Sequence, residues 1–371
     1  MAVVIDLEAM LQDLAVLVDT ESTSRDVAGL TRCAEVLATM CERRLGSRPE
    51  VVDGPIGPHV LWRGGGAPRV LVLGHHDTVH PAGSCAARPF TVRDGRATGP
   101  GVFDMKAGIV QAIHAVAALD DRSGVEILLT SDEEVGSDTS RALLEERALA
   151  CGSVLVLEPS ADGGALKTAR KGTGRFELVV QGRAAHAGLE PEKGINALVA
   201  AAELVTAVVT LADPSKGTTV TPTMATAGTA DNVVPAEARV LVDVRVERAG
   251  ERERLEHGFA ELAAAPLRSV EGARVEVLGG LNRPPMPADA SAALFPLAVA
   301  AAAAAGLPEV RGVAVGGGSD GNFTAAVGVP TLDGLGAVGG GAHTEEEYVL
   351  VDTLVPRTQL LVEILGRILR A

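Results

Sequence analysis

The chain has almost no aromatic residues: Phe, Trp and Tyr together make up 2% of its 371 residues. A ring-built core is excluded, so Val, Leu, Ile and Ala must supply the interior, which suits sheets covered by Ala-rich helices. Cysteine is scarce too. Cys33, Cys41, Cys85 and Cys151 are widely spread with no CxxC pair, which argues against a disulfide framework and against a cysteine zinc site, and fits reduced thiols in a cytosol. Basic charge is in deficit, with 33 Lys and Arg against 48 Asp and Glu and a net charge of −15. That balance repels polyanions and argues against nucleic acid as a partner. No long apolar run exists either. The run 298–305 is too short to span a bilayer, and the opening MAVVIDLEAM carries Asp6 and Glu8 with no basic stretch before them. A soluble, cytoplasmic protein that does not bind membranes is expected.

Hydrophobic residues reach 47%, and the length allows two domains. Leu7, Met10, Leu11, Leu14 and Leu17 recur at helical spacing, as do Leu30, Cys33, Ala34 and Leu37. Strands are predicted over 60–62, 70–73, 125–130 and 154–157, with a helix over 105–119. This alternation predicts an α/β domain with a mostly parallel sheet flanked by helices. From Arg175 the pattern RFELVVQG alternates. Strands over 218–226, 232–246 and 274–278 and helices over 195–211 and 252–264 then make a small α+β unit. Lys171-Gly172 and the prolines Pro284, Pro285 and Pro287 edge it. A helix over 288–305, a strand over 310–315, a short helix over 319–326 and a closing helix over 352–369 resume the first pattern. The expected organisation is one domain in two parts, 1–171 and 284–371, interrupted by an inserted domain at 172–283.

Polar residues gather where apolar runs stop. RVLVLGHHDTVHP places His75, His76 and Asp77 directly after a buried strand, and ligands collect where strands of open α/β sheets end. Side chains alternate along extended chain, so His75 and Asp77 can face one point while His76 faces away. GPGVFDMKAG sets Asp104 just before a helix, where by itself it would read as a cap. LLTSDEEVGS ends a strand in Asp132, Glu133 and Glu134, three crowded carboxylates that need a cation between them. VLVLEPS ends another strand in Glu158, and GGGAHTEEEYV puts His343 after a glycine run. Each is weak alone. Together they hold the histidines and carboxylates that suit zinc or a similar divalent ion.

The ordered series HHDT, GPGVFDMKAG, SDEEVGS, LEPS, RAAHAGLEPEKGINAL, NVVPAEARVLVDVR, GGGSDGNF and AHTEEEY resembles the M20 family of dinuclear zinc peptidases and deacylases, most nearly its glutamate carboxypeptidase branch. The resemblance runs from about residue 70 to 350. It implies two Zn2+ ions, with Co2+ or Mn2+ as alternatives. Asp104 would bridge them, His75 and Glu158 would complete one site, and Glu134 and His343 the other. Glu133 would be the general base, and Asp77 would orient His75. It implies that His186 reaches the substrate of a partner subunit across a homodimer built on the inserted domain. Asn232 and Arg245 resemble residues that bind the substrate carboxylate, and the backbone around Gly318 could receive an anionic group. Glu rather than Asp at position 158 resembles the carboxypeptidase and deacylase branch. His76 and His80 are less typical of the family. The expected activity is hydrolysis of the amide next to a carboxylate-bearing amino acid, in a small or peptide-like substrate. Alternatives are an N-acyl-amino-acid deacylase, acting for instance on acetylornithine, and a catalytically idle binding protein.

Overall fold

Asp6 accepts hydrogen bonds from the Glu8 and Ala9 amides and so starts the helix Leu7–Val18, whose Met10, Leu14 and Leu17 are buried. The helix Val27–Leu45 ends in Gly46 at φ +80°, a left-handed cap that only glycine adopts without cost. The structure, a computed structural model, describes residues 5–370, which divide into two units. The larger runs to Ala169 and includes Pro287–Val315 and everything from Ser319 on; the smaller is Arg170–Met286 with Gly316–Gly318.

The larger unit is built on a six-stranded sheet in the order Glu50–Val52, His59–Arg63, Val125–Thr130, Val70–His75, Val154–Val156, Thr331–Leu332. The first two joins are antiparallel and the last three parallel. Val70–His75 is buried at every position, as a strand covered on both faces must be. Its alternate residues feed different cores. Val70 and Val72 pack in a cluster with the helices Leu7–Val18, Val27–Leu45, Ala107–Ala117 and Val351–Arg370. Leu71 and Leu73 pack instead with Leu144 and Ala148 of the helix Arg141–Cys151 and with Phe323. A second small sheet joins Thr91–Arg93, Arg96–Thr98, Tyr348–Leu350 and Gly339–Gly340. The last two form a hairpin that carries His343 in its loop.

The smaller unit is an antiparallel sheet in the order Thr219–Ala227, Glu237–Val246, Gly172–Gln181, Arg274–Arg283. Its core takes in Ala197–Val208 and Glu251–Ala264, and Phe176 and Phe259 stack at its centre, 4.0 Å between ring centroids.

Several expected elements differ. The strand predicted from Asn232 begins at Glu237, because Pro235 has no N–H for a ladder and residues before it pair instead with the segment around Ala185. The helix predicted from Met105 begins at Ala107, after a wide turn over Val102–Lys106. The helix predicted over 288–305 splits into Ala288–Ser291 and Phe295–Ala304, with a proline in the first turn of the second. The helix Arg141–Cys151 and the short strands Glu50–Val52 and Arg96–Thr98 carry too little apolar periodicity to be read from sequence. All four cysteines are free and buried, and burial pushes the Cys41 and Cys151 thiols up to about 12, which makes them inert. Among the described residues no helix is long and apolar enough to cross a membrane.

One buried charge ties the first helices together. Asp13, on Leu7–Val18, accepts from His114 Nε2 at 2.8 Å, from Arg44 Nε at 2.8 Å and from Arg43. Burial alone would raise its carboxyl, but the hydrogen bonds of His114 and Arg44 and the charges of Arg44 and Arg43 outweigh it and hold the group below its ordinary value. A carboxyl lowered on folding adds stability above its unfolded pKa, near 4, and loses it as pH falls through the lower folded value. Asp13→Asn is therefore expected to cost about 1–3 kcal/mol at pH 7. The gap in melting temperature between variant and wild type should hold steady down to about pH 4 and close below it. A gap that stays constant under calorimetry into stronger acid would refute this account.

Candidate metal centre

Three parallel strands deliver the site. Val70–His75 ends in His75, Val125–Thr130 runs into Ser131 to Glu134, and Val154–Val156 is followed two residues later by Glu158. Their carboxyl ends lie side by side, where an open α/β sheet leaves a crevice. Gly336 lines the third strand's end, and close approach demands its lack of a side chain: a Cβ there would stand 2.1 Å from the Leu157 carbonyl.

His75 Nε2 lies 3.3 Å from Asp104 Oδ1 and 3.5 Å from Glu158 Oε1. His343 Nε2 lies 3.4 Å from Asp104 Oδ2 and 3.3 Å from Glu134 Oε1. Asp104 is thus shared, one oxygen facing each histidine. Donor atoms of His75, Asp104 and Glu158 form one group, and those of Asp104, Glu134 and His343 a second, all within 4.8 Å of one another in each. Asp104 does not cap the following helix with its side chain; its peptide bond to Met105 is cis and its carboxylate belongs to the cluster.

The electrostatics call for cations. Burial lowers the His75 imidazole, but bonds to Asp104, Asp77 and Glu158 outweigh it and raise that group well above its ordinary value. Asp104 and Glu134 pull His343 up to about 11. Asp104, despite burial, is held far below the ordinary carboxylate range by those two histidines. Glu134 is raised, because burial exceeds the attraction of His343, the imidazole that its Oε1 faces. Three converging carboxylates are balanced here by protons on two imidazoles, the positive charge that a pair of divalent ions would supply instead. The residues fit such a pair.

Asp77 is fully buried and does more than the sequence suggested. His75 Nδ1 is 3.0 Å from the Asp77 carbonyl and 3.4 Å from its carboxylate, which directs Nε2 toward Asp104 and Glu158. The same carboxylate accepts from the Glu133 amide at 3.1 Å, the Glu134 amide at 3.2 Å and Ser24 Oγ at 2.7 Å. It therefore fixes the backbone of both glutamates, a bond pattern with no signature in sequence. His76 faces away, its Nε2 against the Pro58 carbonyl at 3.0 Å, as the alternation predicts.

The other sequence-derived residues lie in the smaller unit. His186 and Asn232 come together: His186 bridges Val233, and the Ala187 amide donates to the Asn232 carbonyl at 2.9 Å. His186 Nδ1 accepts from the Gly188 amide at 3.1 Å, so a neutral ring carries its proton on Nε2 and can donate there. Arg245 sits at the far end of the strand Glu237–Val246, roughly 26 Å from its start at ~3.3 Å per residue. Asn232 lies before that strand, although the span predicted for it, 232–246, included that residue. Arg245 grips Asp243 through Nε at 2.8 Å and Nη2 at 2.7 Å. Gly318 shares its end of the unit: Thr173 pairs with Arg245, and a Cβ on Gly318 would meet Thr173 Cγ2 at 2.8 Å. Sequence reading passed over Lys167, whose Nζ stands 3.9 Å from Glu158 Oε2.

The sequence profile of peptidase family M20/M25/M40 matches residues 71–367, which covers most of the chain and every element of the cluster. The chain belongs to that family. It is accordingly a metal-dependent M20 hydrolase. It is 31% identical over 362 residues to carboxypeptidase G2 of a Pseudomonas species, covering 94% of this chain and 86% of the relative. It is also 31% identical over 338 residues to a succinyl-diaminopimelate desuccinylase of Stenotrophomonas maltophilia, covering 83% and 87%. Among solved M20 structures, a metallo-carboxypeptidase from Sulfolobus solfataricus superposes with a TM-score of 0.79 at 16% identity, covering 98% of this chain and 99% of that one. An aminopeptidase PepT from Bacillus cereus gives 0.78 at 22%, again over 98% and 99%. These structures share the fold; the relatives by sequence bracket two chemistries, a carboxypeptidase and a desuccinylase.

Proposed function

We propose that this M20 hydrolase cleaves the amide bond next to a carboxylate-bearing amino acid, in the manner of a glutamate carboxypeptidase, using two zinc ions held by His75, Asp104, Glu158, Glu134 and His343. The observation that carries the reading is the pair of donor groups sharing Asp104 with Glu133 beside them. When bound, two divalent ions there would polarise the scissile carbonyl and acidify the attacking water. Glu133 takes the proton from that water and passes it to the departing amine. Asp77 holds His75 in one tautomer and keeps Glu133 oriented through its amide. His186 Nε2 donates to the developing oxyanion of a substrate bound by a partner subunit. Lys167, beside Glu158, supports a site for a carboxylate-bearing substrate. Arg245 serves the same end if an incoming carboxylate displaces Asp243 from its planar fork.

His186 and Asn232 lie before the start of the strand Glu237–Val246 and Arg245 near its other end, which favours use of the two regions by different protomers and hence a homodimer through the smaller unit. A deacylase acting on N-acyl amino acids is the second reading, favoured by the desuccinylase relative. Initial rates of zinc- and cobalt-loaded protein on folate-like glutamates, N-succinyl and N-acetyl amino acids separate the two. The expected result is a preference for the glutamate amides; a strong preference for N-acyl amino acids would overturn it. Sedimentation of the same preparation should show a dimer, and a clean monomer would remove His186 from the mechanism.

A further inference from the structure

His80 belongs to the opening histidine stretch but to neither donor group. It is buried, and its Nε2 lies 2.7 Å from Glu347 Oε2. Glu347, 1% exposed, lies in the loop of the His343 hairpin, four residues beyond that histidine. Its carboxylate collects the amides of the turn that presents Asp104: Gly101 donates to Oε2 at 2.9 Å, and Phe103 and Asp104 each donate to Oε1 at 2.8 Å. Gly101 has φ +71°, and a Cβ there would meet Thr78 Cγ2 at 2.5 Å, so the turn lies tight against the segment that carries His80.

Resting on the metal-centre reading above, we infer that Glu347, held by His80, is a positioning residue that sets Asp104 at the correct separation from His343. A buried carboxylate saturated by three N–H donors and an imidazole is a rigid bracket, since charge-assisted bonds are the strong ones and each lost partner leaves a buried polar group unpaired. The bracket joins two ligand-bearing loops. One is the turn of Asp104, the other the hairpin of His343. Its loss therefore strikes the group Asp104, Glu134, His343 harder than the group His75, Asp104, Glu158, whose other two members sit at the end of one sheet strand and two residues after another. The segment 75–81 then serves both sides of the centre, through Asp77 for His75 and the glutamates and through His80 for Asp104.

The experiment is zinc titration of the metal-free protein by calorimetry, with cobalt absorption as a second readout, for wild type, Glu347→Gln, His80→Ala, His80→Gln and the exposed control Glu346→Gln. Gln at 347 can accept on one arm only, so one set of donors loses its partner. Wild type should bind two ions per chain. Glu347→Gln should bind the first within about threefold of wild type and the second about 10–100-fold more weakly, with kcat lowered in proportion and KM little changed. His80→Ala, which leaves the three amide bonds in place, should show a smaller loss of the same kind, and His80→Gln, which can still donate to Glu347, should restore it. Glu346→Gln should match wild type. Equal affinity for both ions and an unaltered cobalt spectrum in Glu347→Gln and His80→Ala would overturn the inference, even with lowered melting temperatures. A wild-type protein that binds no second ion would instead sink the two-metal reading beneath it.

Discussion

Glu133→Gln is expected to retain two metal ions per chain and to lose kcat by about 10²–10⁴-fold, the range that general-base catalysis commands. The residue is outside both donor groups, so replacing its carboxylate removes a proton acceptor and no ligand. Its amide donates to Asp77 at 3.1 Å, a bond that the substitution leaves intact, so neighbouring Glu134 stays in place. KM should change little, because the proton is transferred only on the way to the transition state. Metal analysis alongside steady-state kinetics decides the point. Substantial turnover in a metal-replete variant would assign the proton transfer elsewhere, and loss of an ion would make Glu133 a ligand.

Asp104→Asn is expected to fail differently, losing both ions and activity together. Asp104 is the member common to the two donor groups, with one oxygen toward each histidine. Divalent-ion chemistry supplies several kcal/mol of transition-state stabilisation, so hydrolysis should fall by at least about 10³-fold. Ligands that bind only the folded state raise its stability. Added zinc should thus lift the melting temperature of wild type and leave that of Asp104→Asn unmoved. An Asn variant that still holds two ions and is stabilised by zinc would remove Asp104 from its bridging place.

The contrast between these two residues reflects what a sequence can carry. His75, Glu133, Glu134 and Glu158 each follow an apolar β-branched run, and a strand that ends abruptly in His or Glu announces itself because burial and ionisation are incompatible without a partner. The parallel core was legible for the same reason, since strands buried on both faces are continuously apolar. The three-residue strands Glu50–Val52, at a sheet edge, and Arg96–Thr98, between two others, were not, because such short strands are held by ladders and leave no hydrophobic period. The span from Asn232 was misjudged where Pro235 interrupts the ladder.

By itself the sequence determined the chemistry of this protein: an α/β chain with a small inserted α+β stretch, an aromatic-poor aliphatic core and a full complement of metal-ligating types in family order. Those properties are local, set by composition, by periodicity and by which residue follows which strand. Only the tertiary structure decided the partnerships. Asp77 beneath two glutamate amides, Glu347 bracketing Asp104, His80 behind Glu347 and Lys167 beside Glu158 all join residues far apart in the chain or turned together by a backbone bend. A hydrogen bond is specified by distance and direction in space, and residues that meet this way leave no periodic trace in the order of the chain.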